Sequence, residues 1–317
     1  VIAFLASRLA FAAAVLLALS AFVFLLFFVA PGDPARLLTG EKATEAQVAQ
    51  VRANLGLDRP IHEQYLAFLG RTLKGDLGFS YRNQQPVTKL IANRMPATIS
   101  LGIGAIVLWV GIGIPIGIMS ARHPGSLRDR LGQGFILVGI SFPTFVLGMA
   151  SLYILYFLPR QAGVTLFPGG GYKSFLADPA IWAWHMVLPW TTLALASAAI
   201  YARLTRGEML AVMGEDYIRT ARAKGLSERK VVYKHGLRSI LTPLTTQLGA
   251  DIAAVLGGAI VTEQVYGLQG LGSLAVQAVG NQDRPIIIGV VLLAGLFIVV
   301  ANIVVDLLYV LLDPRVR

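Results

Sequence analysis

Long uncharged runs constrain this chain more than any other feature. A helix needs about 20 apolar residues to cross a ~30 Å hydrocarbon core, and only helices and closed barrels satisfy their own backbone hydrogen bonds there. Six runs qualify: residues 9–30, 99–121, 131–158, 181–202, 244–262 and 286–312. Pro143 interrupts the third, His185 and Pro189 lie in the fourth, Asp251 in the fifth, and Asn302 and Asp306 in the sixth. The last four runs are therefore the candidates for the interior. Charged residues make up 14% of the chain, about half the usual ~25%, so a water-facing surface cannot be assembled from them. The chain must face lipid. The first run exceeds the ~7–15 residues of a leader's apolar region, so it reads as a span and not as a cleaved signal.

Basic residues set the direction. Leaving the spans and the first loop aside, fifteen Lys and Arg fall before residue 9, in 122–130, in 203–243 and after 312, against three in 159–180 and 263–285. Short loops rich in Lys and Arg stay in the cytoplasm, so both termini are expected there. The first loop, residues 31–96, is long enough to cross whatever its charge. Topology thus accounts for the net charge of +10, and nucleic-acid binding has no further motive. Within that first loop, Thr44 and Gln47 read as a capping box for a helix carrying Val48, Val51 and Leu55 on one face and stopping at Gly56. A second amphipathic stretch groups Ile61, Tyr65, Phe68 or Leu69, and Leu73. The loop is expected to pack, either as a helical cover or as a docking surface for an extracytoplasmic protein.

Catalytic readings fall away. The chain has no cysteine and four scattered histidines, which removes disulfides, a thiolate nucleophile and Cys-ligated metals. It contains no GxxxxGK[ST] phosphate loop, HExxH helix or GxSxG elbow. No cofactor is expected in the chain itself, and any ATP-driven work needs a partner. Asp251 and Asp306 could form an intramembrane aspartyl pair, since ionisable groups in lipid usually serve function. Asp306 lies close enough to the end of its run to reach interfacial water or a basic neighbour such as Arg8 or Arg203. Gly113 with Gly117, and Gly257 with Gly258, suit close helix crossings. Pro115, Pro143 and Pro189 each remove a backbone donor, and the expected kinks suit a cavity or gate.

The most informative segment is the inner loop, residues 203–243. From Asp216 to Lys224 it is basic and Ala-bearing and reads as helix; Gly225 can take positive φ and break it; Leu226 to Lys230 resumes. Two short helices at an angle make a basic protrusion. Charge and periodicity alone leave two readings open, an interfacial hairpin that enforces topology and a knob inserted into a soluble partner.

At these residues the chain resembles the membrane-spanning subunits of ABC importers of the dipeptide, oligopeptide and nickel family. Residues 219–225 (RTARAKG) and 226–231 (LSERKV) look like that family's coupling loop, with Ala221 and Gly225 matching and Arg219 and Thr220 standing where related importers have Glu and Ala. The resemblance extends through residues 31–34 (PGDP), 56–60 (GLDRP), 75–78 (GDLG), 168–171 (PGGG), 270–272 (GLG) and 313–315 (DPR). It implies an all-α integral membrane protein of six transmembrane helices with the type I importer permease fold, in a bacterial inner membrane. Residues 1–30 would be the first span, 31–96 the extracytoplasmic loop, 97–312 the transmembrane core and 313–317 a cytoplasmic tail. Implied partners are a second, homologous permease subunit, two ATPase subunits or domains holding ATP and Mg, and an extracytoplasmic substrate-binding protein. The expected cargo is di- or oligopeptides. Arg219, Thr220, Ala221, Arg222, Lys224, Gly225, Leu226, Ser227, Arg229 and Lys230 would contact the ATPase. Ser141, Phe145, Asp251 and Glu263 are candidates for the substrate path. The alternative is a proton-coupled secondary transporter with Asp251 and Asp306 as relay groups.

Overall fold

The computed structural model describes residues 2–29, 44–54, 58–80 and 82–312; side chains at 2–5, 29, 51, 54, 253–254, 256–258 and 308–312 are outside the description. The motifs at 31–34 and 313–315, Leu55, the helix stop at Gly56, and the environments of Val51, Gly257 and Gly258 therefore lie outside the described residues. Among the described residues, four helices are long and apolar enough to cross a membrane, Ala6–Phe28, Val87–Arg122, Pro179–Val212 and Arg284–Leu307. A bent pair, Leu127–Ser141 and Thr144–Gln161, makes a fifth if it counts as one span. Residues 244–262 lie inside a further long helix, Leu237–Val265.

The chain divides into two compact units. The first comprises Val1–Met95 and Leu274–Val300. It holds α1 (Ile2–Phe24, prolonged by a π-turn at Leu25–Val29), α2 (Glu45–Asn54), α3 (Ile61–Leu73) and a small antiparallel pair, β1 (Phe79–Ser80) and β2 (Gln85–Pro86). The capping box forms: the Thr44 N–H donates to Gln47 Oε1 at 2.9 Å and the Gln47 N–H to Thr44 Oγ1 at 3.4 Å. α3 buries Phe68, not Leu69, against Phe24, Phe28 and Ile288, with Tyr65 and Ser20 hydrogen-bonded at 2.9 Å. Its ends, Ile61 and Leu73, are exposed, so the apolar face is shorter than its sequence period suggests. Ser80 Oγ donates to Asp283 Oδ2 at 2.5 Å and pins the hairpin.

The second unit comprises Pro96–Ser273 and Ala301–Arg317. Its elements include most of α4 (Val87–Arg122), α5 (Leu127–Ser141), α6 (Thr144–Leu152), α7 (Pro179–Val212), α8 (Asp216–Ala223) and α9 (Leu237–Val265). A π-turn at Tyr153–Phe157 carries α6 on to Gln161. Two helices complete the chain, α10 (Leu271–Gly280) and α11 (Arg284–Leu312). Asp178 starts α7 by accepting the Ala180 and Ile181 N–H groups, and Pro179 loses nothing at a position whose N–H is orphaned anyway. The core gathers Trp109, Met186, Tyr201, Met209, Ile240 and Tyr266. Small residues set the helix crossings: a β-carbon at Gly113 would lie 2.6 Å from the Ala198 carbonyl oxygen, and one at Gly117 2.5 Å from Thr205 Cβ. Larger side chains there would force α4 from α7.

The three prolines behave differently. Pro115 and Pro189 are absorbed inside continuous helices. At Pro143 the helix breaks outright, and the two halves lie at 99°. The cause is local: proline disfavours the helical region for the residue before it, and Phe142 sits at φ −110°, ψ 131°. α5 thus ends at Ser141, and α6 restarts with Pro143 at its N-cap.

Candidate functional site

The elbow is a capped turn with a small core of its own. α8 ends at Ala223 with Lys224 as its C-cap, and Gly225 takes φ +75°. The Leu226 N–H then donates back to the Ala221 carbonyl at 3.3 Å, and the Gly225 N–H to the Arg222 carbonyl at 2.9 Å. Together these form a Schellman cap, which satisfies carbonyls left over at the helix end. Nothing lies within 4 Å of a β-carbon placed on Gly225, so its backbone angle and not crowding demands glycine. Ile218, Ala221 and Val231 form a small core beneath the turn, with Leu226, Val212 and Met213 packed on it. Tyr217 and Ser239 hydroxyls, 2.8 Å apart, tie α8 to α9.

The predicted contact residues divide by this geometry. Ala221 faces inward and is buried; Leu226 is half-buried. Arg219, Thr220, Lys224, Gly225, Ser227, Arg229 and Lys230 are exposed. Arg222 crosses the elbow to Glu228 in a two-pronged pair, Nε to Oε2 at 3.2 Å and Nη2 to Oε1 at 2.9 Å. That hydrogen bonding holds the Glu228 carboxyl below the usual carboxylate range against the opposing effect of burial, and raises the Arg222 guanidinium. Arg222 therefore braces the elbow as well as presenting charge.

The four path candidates are not gathered at one point. Ser141 and Phe145 flank the break at Pro143, both exposed; Ser141 Oγ donates to the Leu137 carbonyl at 2.6 Å. Asp251 accepts from Gln247 Nε2 at 2.9 Å on Oδ1, while its buried Oδ2 has no partner. The buried Tyr201 hydroxyl and Trp109 indole N–H also lack partners, and their rings lie 6.3 Å apart. Glu263 lies on the same helix about 18 Å further on at 1.5 Å per residue. It is fully buried: Thr98 Oγ1 donates to Oε1 at 2.5 Å and the Ser273 N–H to Oε2 at 2.8 Å, so the carboxylate closes the turn into α10.

Sequence reasoning missed one arrangement. Asp129, in the first turn of α5, takes a two-pronged contact from Arg206 of α7, Nε to Oδ1 at 2.7 Å and Nη2 to Oδ2 at 2.9 Å. The signal was present: Ser126 followed three residues later by Asp129 is a helix-start pattern, and the cap forms. Pairing with Arg206 needs the fold.

Comparison with known proteins follows the same lines. Residues 113–317 match the family described as binding-protein-dependent transport system inner membrane component, and residues 1–102 match the N-terminal membrane component of such systems. A probable peptide ABC transporter permease protein of Sinorhizobium fredii is 39% identical over 311 residues, 98% of this chain and 97% of the relative. A putative peptide transport system permease protein of Brucella abortus is 40% identical over 317 residues, 99% of each. A glutathione transport system permease protein of Salmonella paratyphi A is 40% identical over 302 residues, 95% of this chain and 94% of the relative. Among solved structures, the inward-facing MetNI methionine ABC transporter shares the fold, with a TM-score of 0.51 at 18% identity, covering 68% of this chain and 95% of that one. Full-length identity, the matched regions and the shared fold agree: the chain belongs to the family of binding-protein-dependent transport system inner membrane components.

Proposed function

We propose that this chain forms one half of the translocation path of an ATP-driven importer of peptides. It works beside a second, homologous permease, with two ATPases holding ATP and Mg below and a peptide-binding protein outside. In this reading it crosses the membrane six times with both termini in the cytoplasm. The observation that carries it is the capped basic elbow at residues 216–230: a rigid knob with its own small core, whose exposed face is cationic and whose root is continuous with α7 and α9. A merely interfacial hairpin needs no internal brace. Closure of the ATPases around ATP would push the knobs together and switch the path between two states, each favoured by a different ligand. The peptide class is supported by the relatives' names. A passage must bind weakly enough to release. Glu263 is proposed to hold the turn below α10 and to act on the path only through it.

Uptake into proteoliposomes holding the full complex separates this from a proton-coupled carrier. Import of a labelled peptide requires ATP and survives a protonophore. Uptake without ATP that collapses with the protonophore would overturn the reading.

A further inference from the structure

We propose that Asp129 and Arg206 form the clamp through which movement of the elbow reaches the broken helix α5–α6, and that both are positioning residues for transport. The inference rests on the elbow being where work enters.

Asp129 is only 1% exposed and carries three donors: both prongs of Arg206 and the Gly125 N–H at 2.9 Å to Oδ2. Its own N–H is capped by Ser126 Oγ at 3.3 Å. One carboxylate thus fixes the start of α5, the turn before it, and the last part of α7. Arg206 stands six residues before the end of α7 at Val212, and a three-residue turn joins that end to α8, so the proposed route from elbow to clamp is short.

The clamp adds a directional polar contact to helices already held by close packing. A β-carbon on Gly139 of α5 would lie 2.5 Å from Ala199 Cβ of α7, so the helices meet closely here with only a methyl group between them. Apolar contact is non-directional. A planar two-pronged guanidinium–carboxylate contact has one geometry and resists both sliding and rotation. At its other end α5 stops at Ser141, where the chain turns through 99° into α6, with Phe145 one step beyond. The route is therefore elbow, α7, clamp, α5, bend. Cutting the clamp should leave the elbow engaged and the path unmoved.

The test uses the complete transporter reconstituted with its ATPases and binding protein. Arg206→Gln and Asp129→Asn should raise the ATP hydrolysed per peptide imported by about tenfold, a typical coupling energy. Ser126→Ala removes the helix cap but spares the clamp, and should leave the ratio unchanged. Spin labels on Leu137→Cys in α5 and Arg203→Cys in α7, in a chain that has no cysteine of its own, should keep one separation with and without ATP. In Arg206→Gln that separation should change with nucleotide. An unaltered ratio in Arg206→Gln overturns the inference. So does a label separation that already changes with ATP in the unmutated clamp, a readout that decides the matter even if the clamp variants fail to assemble. Failure of the elbow reading itself shows elsewhere: Arg222→Glu with Lys224→Glu would then import normally, which says nothing against the clamp's geometry but removes its input.

Discussion

Gly225 is the residue whose chemistry and role coincide most closely. An L-residue at φ +75° costs about 1–2 kcal/mol, so Gly225→Ala should loosen the cap and reduce ATP-driven import, with Gly225→Asn less harmful. Uptake by the two variants in the intact complex checks the order. The Arg222–Glu228 brace adds a pH dependence. Because the folded carboxyl titrates below its unfolded value, the brace stabilises the elbow at pH above the unfolded value. That contribution is lost as pH falls through the lowered folded value. Hydrogen-exchange protection across residues 216–230, corrected for the intrinsic pH dependence of exchange, should therefore fall in that acidic window, and Glu228→Gln should show reduced protection already at neutral pH. At this scale the sequence was legible where chemistry is local. Thr44 with Gln47 and Gly225 need only their neighbours. Asp129 and Glu263 acquire their meaning from partners far away in the chain, Arg206 and Thr98, and no spacing reveals those.

Elements were legible by period and less so by extent. The apolar runs and the amphipathic stretch at 61–73 appear as helices, because hydrophobic periodicity reports burial directly. Which of Phe68 and Leu69 turns inward, and that Ile61 and Leu73 stay exposed, depends on where α1 and α11 lie. Phe68→Ala should cost about 3–5 kcal/mol and lower the melting temperature of the purified protein, whereas Leu73→Ala should change it by no more than about 0.5 kcal/mol. Equal shifts would show that α3 is not seated as described. The three prolines look alike in sequence, yet only Pro143 ends its helix. Proline supplies the tendency; whether neighbouring helices rebuild the lost hydrogen bond decides the outcome.

At the scale of the molecule, composition settles the solvent, and family membership places the chain in the inner membrane. The direction of insertion rests on the Lys and Arg of the short loops, and the missing cysteines make it easy to test. Lys224→Cys should react with a membrane-impermeant maleimide only when the cytoplasmic face is open. Labelling from outside would invert the topology and detach the elbow from any ATPase. The elbow's part in transport is what the whole account turns on, and double charge reversal of Arg222 and Lys224 addresses it most directly. In the reconstituted complex, Arg222→Glu with Lys224→Glu should insert normally, lose peptide import, and lose the stimulation of ATP hydrolysis by the loaded binding protein. Import at the unmutated rate would contradict the claim that the elbow receives the work of ATP.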